Sequence, residues 1–213
     1  TGRGGVRTFG VVLDHAATVV RRNVIESGCA TSEGIGLLSN DAAARVENNT
    51  IRGAVCGAGA AVTPLSTAVK VLVGAGANEL DLNSNTVSAF GARATACTSR
   101  GLVFDLSDGG TPAGPRGVVR NNILHAGVCS QAIPVFEIDV ATDPRVFENN
   151  DLYSLDGGLY LDEGSSQLPD LTAVNALTGA AANLSADPQF DGGIRLGPTS
   201  VCRNAGTSTG APT

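Results

Sequence analysis

One hexapeptide pattern recurs five times and sets the terms for any fold this chain can adopt. It reads apolar, polar, polar, Asn, any residue, apolar. Its copies are Val20 to Ile25, Val46 to Ile51, Leu82 to Val87, Val119 to Leu124 and Phe147 to Leu152. The register residues are Asn23, Asn49, Asn85, Asn122 and Asn150, at spacings of 26, 36, 37 and 28. A short β-rich run accompanies each copy: Gly36 to Leu38, Ala60 to Val62, Gly101 to Phe104, Pro134 to Phe136 and Gly158 to Leu161, with Gly10 to Leu13 ahead of the first. Val69 to Val73 reads as a third strand within one unit. These runs are too short and too punctuated by glycine for helices. A variable unit with two or three short strands predicts a parallel β-solenoid, in which each strand pairs with its equivalent one unit on, about 4.8 Å away. A β-sandwich would instead need hairpin signals every 8 to 12 residues or so, and Asn-Gly and Asp-Gly dipeptides between adjacent strands are nearly absent.

The composition agrees with narrow stacked coils. Glycine makes up 28 of 213 residues, aromatics only 4%, and there is no Trp or Met. Gly and Asn serve turns that need positive φ. The net charge of −6 on 14 basic residues excludes a phosphate-backbone binder, so no nucleic-acid partner is expected. No apolar stretch reaches the ~18 residues of a membrane-spanning helix. Five cysteines without a Met suggest an exported protein in an oxidising place, and a start at Thr1 suggests a mature form or an excised piece.

Stacking gives each repeated position a neighbour. The asparagine side chains are expected to hydrogen-bond along the stack as a structural ladder. Two positions earlier, Arg21 with Glu47 and Arg120 with Glu148 are expected to form exposed pairs. The cysteines follow their asparagines in comparable register, and one-coil spacing suits disulfide geometry. Cys29–Cys56 and Cys97–Cys129 are therefore expected, with Cys202 left over.

The Asn-Asn-x-Ile units resemble those of right-handed parallel β-helix proteins, the pectate-lyase-like superfamily, over roughly residues 6 to 165. The stretch Asp187-Pro188-Gln189-Phe190, Ile194 to Ser200 and Arg203 to Gly206 resembles the closing segment of exported bacterial β-helix proteins. The resemblance implies a right-handed parallel β-helix of about six coils over residues 1–206, capped from about 175, with 207–213 as a linker or tail. It implies export to the extracellular space or cell surface. The Asn-Thr-Asp, Asp-Asp, Gly-His-Gly and Arg-Ile-Lys motifs of the related hydrolases are absent. Val11 to His15 resembles the vWiDH stretch of pectate lyases, with Val in place of Trp, and Lys70 is the only lysine.

Counting four positions past Gly10, Gly36, Ala60, Gly101, Ile133 and Gly158 gives Asp14, Asn40, Pro64, Asp105, Glu137 and Asp162. Asp105, Glu137 and Asp162 are the catalytic candidates, since stacked carboxylates approach the separation used by retaining glycosidases. The same residues, with Asp139 and Glu163, suit calcium, which takes oxygen ligands. Arg116 and Arg145 are available to neutralise them. Acids that begin turns and point into water fit the same positions. Asp14 and His15, adjacent on a strand, are expected on opposite faces, and His125 in the outward column Glu26, Arg52, Ser88, His125, Tyr153 is expected to be solvated. The reading is an extracellular module that is non-catalytic, for a glycan or matrix partner. Its contact regions are the loops 63–78, 88–98 and 105–116. A polysaccharide lyase or glycoside hydrolase, and a subunit that self-stacks end to end, are the alternatives.

Overall fold

A computed structural model describes residues 7–28, 30, 32–54, 64–76, 78–90, 97–107, 114, 116–155, 158–191 and 195–208. Among them the chain is all-β, and nearly every strand pairs in parallel. A long sheet stacks Arg7–Asp14, Glu33–Asn40, Leu65–Val73, Thr98–Leu106, Gln131–Glu137 and Tyr160–Asp162, in that order. A second stacks Val19–Arg21, Arg45–Glu47, Asp81–Asn83, Val118–Arg120, Val146–Glu148 and Ala180–Ala181. A third stacks Val24–Glu26, Thr50–Ala54, Thr86–Phe90, Ile123–His125 and Asp151–Tyr153. The chain visits the three sheets in turn and then begins the next row, so neighbours in space are one repeat apart in sequence.

The predicted register of the second and third sheets is observed. Val20, Val46, Leu82, Val119 and Phe147 line up across the second sheet, as do Ile25, Ile51, Val87, Leu124 and Leu152 across the third. With Leu37, Val69, Leu102 and Val135 of the long sheet they form one apolar core. In a strand alternate side chains face opposite ways, so each row contributes a few Val, Leu or Ile from each sheet. Three rings, Phe104, Phe147 and Tyr160, are buried among them towards the later rows.

In the third row the long-sheet place belongs to Leu65–Val73, which pairs Val69 with Leu37 and Leu102. Val69 to Val73 is thus no extra strand, and Pro64 precedes its strand rather than joining the acid column. The run Ala60 to Val62 lies outside the described residues. Long-sheet ladders skip Gly10, Gly36, Ala68, Gly101 and Pro134. At Gly36 an added Cβ would meet the carbonyl oxygens of Ala68 and Arg52 at 2.6 Å, so only glycine allows this approach of the third sheet.

A two-residue corner joins the second and third sheets in every row. Its first residue is left-handed: Arg22, Asn48, Ser84, Asn121, Asn149 and Ala182 have φ between 53° and 59°. The expectation of Gly and Asn there holds for three of these. Its second residue is the register asparagine. The Oδ1 of Asn49 accepts from the backbone N–H of Asn23 at 3.0 Å and from its Nδ2 at 3.2 Å. The same pair of bonds joins Asn49 to Asn85, Asn85 to Asn122 and Asn122 to Asn150. From Asn49 to Asn150 each Nδ2 also reaches a carbonyl of the row before, such as Val46 O from Asn85 at 2.8 Å. The ladder continues beyond the expected five, from Asn150 to Asn183 and on to Asn175.

The sixth row is closed by an antiparallel strand, Ser166–Leu168, laid on Tyr160–Asp162, and by a one-turn helix, Leu171–Asn175. The Asp170 carboxylate caps that helix by accepting from the Ala173 N–H at 2.9 Å. Thr207, expected to open a tail, is held by the Asn121 side chain, which accepts from its N–H at 2.8 Å.

Candidate functional site

The acid column divides at one step of register. In the long sheet Phe104 is opposite Glu137, and Asp105 is opposite Leu72. Asp105 therefore lies one position off Glu137 and faces the other way. The run beginning at Ile133 aligns with Arg100 rather than Gly101, which accounts for the shift.

Glu137 takes a core position, behind Leu13, Ser39, Val71 and Phe104, and is 0% exposed. Carboxylate oxygens of Glu137, Asp143 and Asp162 lie within 4.8 Å of one another. Asp143 was not among the expected residues, because it comes from the irregular segment after the strand. Burial, more than any neighbour, pushes the Glu137 carboxyl up to about 8, and burial also raises Asp143. The Glu163 N–H donates to Glu137 Oε2 at 3.2 Å, and Thr142 Oγ1 lies 3.1 Å from Oε1. Thr142 Oγ1 is also 2.7 Å from the Asp139 carbonyl. A hydroxyl has one proton to give. It therefore donates at any moment either to the Glu137 carboxyl or to the Asp139 carbonyl.

Asp139 and Glu163 stand outside the trio. Asp139 caps the single 3₁₀ turn Val140–Thr142, its carboxylate accepting from the Ala141 N–H at 2.9 Å. Glu163 contributes a backbone N–H. Arg145 is committed elsewhere: its guanidinium forms two bonds to Glu79, at 2.8 and 2.7 Å, and holds that carboxyl below its ordinary range. Among the described residues, those placed to hold a cation together are Glu137, Asp143 and Asp162.

Asp105 belongs to a different group, on the outer face of the long sheet. Lys70 Nζ is 3.1 Å from Asp105 Oδ2 and 3.9 Å from Glu33 Oε1, and Arg7 Nε is 3.3 Å from Glu33 Oε2. Leu38 is the residue opposite Lys70, so Lys70 and Glu33 lie five positions apart along the strands. An extended strand would separate them by about 16 Å, at roughly 3.3 Å per residue. The strands bend at the skipped glycine position, which folds the outer face inward and brings the two together. Arg100 lies across the same bend, its guanidinium 3.6 Å from the centre of the Phe136 ring.

Other expected contacts moved. Glu47 is 2% exposed and pairs with Arg45 of its own strand rather than with Arg21. Arg120 and Glu148 do pair, at 3.3 Å, and Arg52 reaches Glu26 at 3.0 Å. His15 adopts φ 47°, which turns its ring back between Asp14, at 3.7 Å, and Asp41, at 3.5 Å. His125 is half-buried rather than freely solvated: it bonds Ser88 Oγ at 3.0 Å, stacks on Tyr153 and meets the edge of Phe190. Burial lowers its pKa.

The Cys97–Cys129 disulfide is present, with Cα atoms 5.0 Å apart. Cys29 and Cys56 lie outside the described residues. Cys202 is free, and its thiol donates to Asp151 Oδ2 at 2.9 Å. Burial and that carboxylate push the thiol up to about 12, which leaves little thiolate at neutral pH.

These features define an all-β protein of stacked parallel strands with a carboxyl cluster in its wall. Among the described residues no helix is long and apolar enough to cross a membrane. The chain matches no family model, no curated protein and no solved structure.

Proposed function

We propose that the protein is a right-handed parallel β-helix that works outside the cell as a non-catalytic module for a glycan or matrix partner. The observation that carries the reading is the outer face of the long sheet. There Lys70 pairs with the half-buried Asp105 and Arg7 with the buried Glu33, and Arg100 lies over Phe136, so cationic donors and a reachable carboxylate stand side by side. A hydroxyl-rich polymer offers both roles at each sugar and fits such a mixture. The disulfide favours an oxidising location.

Catalysis by the carboxylates is disfavoured on geometry. A general acid must come within hydrogen-bond reach of its substrate. Glu137 is 0% exposed, and Asp105 faces away from it. End-to-end growth into fibres is disfavoured because the hairpin and helix cover the sixth row. Two assays test the reading. On a glycan array the protein should bind, and Lys70→Ala should weaken that binding. On a panel of acidic polysaccharides it should release no new chain ends. Turnover abolished by Asp162→Ala would replace the module with an enzyme.

A second reading concerns calcium, and the three converging carboxylates favour it. It takes Glu137, Asp143 and Asp162 as oxygen ligands. Calorimetric titration at pH 8 should then show one site that Asp143→Asn removes. No heat of binding would leave the trio as a proton-sharing cluster.

A further inference from the structure

A cavity of about 10 Å³ lies where the long sheet hands over to the second sheet, lined among others by Ser39, Asp41, Val71, Asn78 and Arg116. Ser39 occupies the inward column between Leu13 and Val71, where its neighbours are apolar, and it is 1% exposed. Its Oγ has no hydrogen-bond partner, and neither has the buried Nε of Arg116. An unmet buried donor or acceptor is destabilising, so two beside one cavity need an occupant.

We infer that this cavity is a binding site for a single water molecule, held between Ser39 Oγ and Arg116 Nε–H. The volume matches one water. The chemistry selects a neutral, two-way partner. Arg116 donates only, Asp41 as a carboxylate accepts only, and a hydroxyl does either. A cation would face the Arg116 guanidinium, and an anion would face the Asp41 carboxylate. Asn78, whose Nδ2 already donates to the Asp41 carbonyl at 2.8 Å, fixes the wall between them. The occupant ties Ser39 in the second row to Arg116 at the corner of the fourth, across a seam that no strand ladder crosses. The inference does not depend on the glycan reading.

The sign of one substitution tests it. If water bridges the two groups, Ser39→Ala strands the Arg116 Nε–H and lowers Tm by about 2–4 °C. If Ser39 is simply unmet, removing the hydroxyl relieves a cost and raises Tm. Ser66 and Ser99 calibrate the second outcome, being 0% exposed, without partners and outside this cavity. Ser66→Ala and Ser99→Ala should leave Tm unchanged or higher. Crystals grown in bromide supply the direct measurement. A single oxygen peak within about 3.2 Å of both atoms is expected. A bromide anomalous peak, or no peak, overturns the assignment, as does a rise in Tm for Ser39→Ala.

Discussion

The corner between the second and third sheets and the corner between the long sheet and the second do the same topological job by different means. The first spends two residues in every row, and its asparagines meet the polar groups of the rows above and below. The second spans only residues 41–44 in the second row but 107–117 in the fourth. It holds the buried carboxyl trio, the cavity beside Ser39 and the Arg145–Glu79 pair. A corner whose polar groups are satisfied by its own repeat keeps one length and one asparagine in every row. A corner that satisfies them case by case is free to take insertions, and unusual chemistry collects there.

The sharpest way to break the comparison is to remove a rung. Asn85→Ala strands the N–H and Nδ2 of Asn49 and the carbonyl of Val46. Urea unfolding should show a loss of about 4 kcal/mol, from one to three per unmet buried group. The corner between the third sheet and the long sheet supplies a covalent reference. Opening Cys97–Cys129, which closes a separation of 32 residues, should cost about 3 kcal/mol in the same assay.

At the irregular corner the effect should depend on pH. Folding raises the Glu137 carboxyl from an ordinary 4.5 to about 8, so the folded state holds its proton more tightly. Its contribution is complete below about 4.5 and fades as pH rises through 8. Wild-type Tm should fall over that window, and Glu137→Gln should fall less, with the gap widest at pH 8 and above. A parallel decline in both proteins would clear Glu137 of any part. The smallest effect belongs to the half-buried pair at the regular corner. Arg120→Ala should change stability by less than about 1 kcal/mol, and 0.5 M salt should reduce that further.

Legibility in the sequence follows the same division. The five asparagines, their apolar neighbours and Cys97–Cys129 were readable because their spacing comes from stacking itself. Asn183 escaped because Ala181 and Ala182 stand where the pattern has polar residues. Its backbone nevertheless keeps the left-handed step before it. Asp105 was aligned with Glu137 because an insertion of unknown length precedes each long-sheet strand. A one-residue slip then exchanges the inner and outer faces. Asp143 carried no periodic signal at all, and its place beside Glu137 depends on a 3₁₀ turn stabilised by Asp139.

The asparagine ladder also has a direction. Every rung from Asn23 to Asn150 gives its N–H groups to the rung that follows and offers its oxygen to the one before. The side-chain amides are aligned head to tail, like the peptide units of a helix, and each bond polarises the next. The column therefore behaves as a long electric dipole whose negative pole is the oxygen of Asn23. Arg21 and Arg22 stand at that pole, where positive charge is favoured.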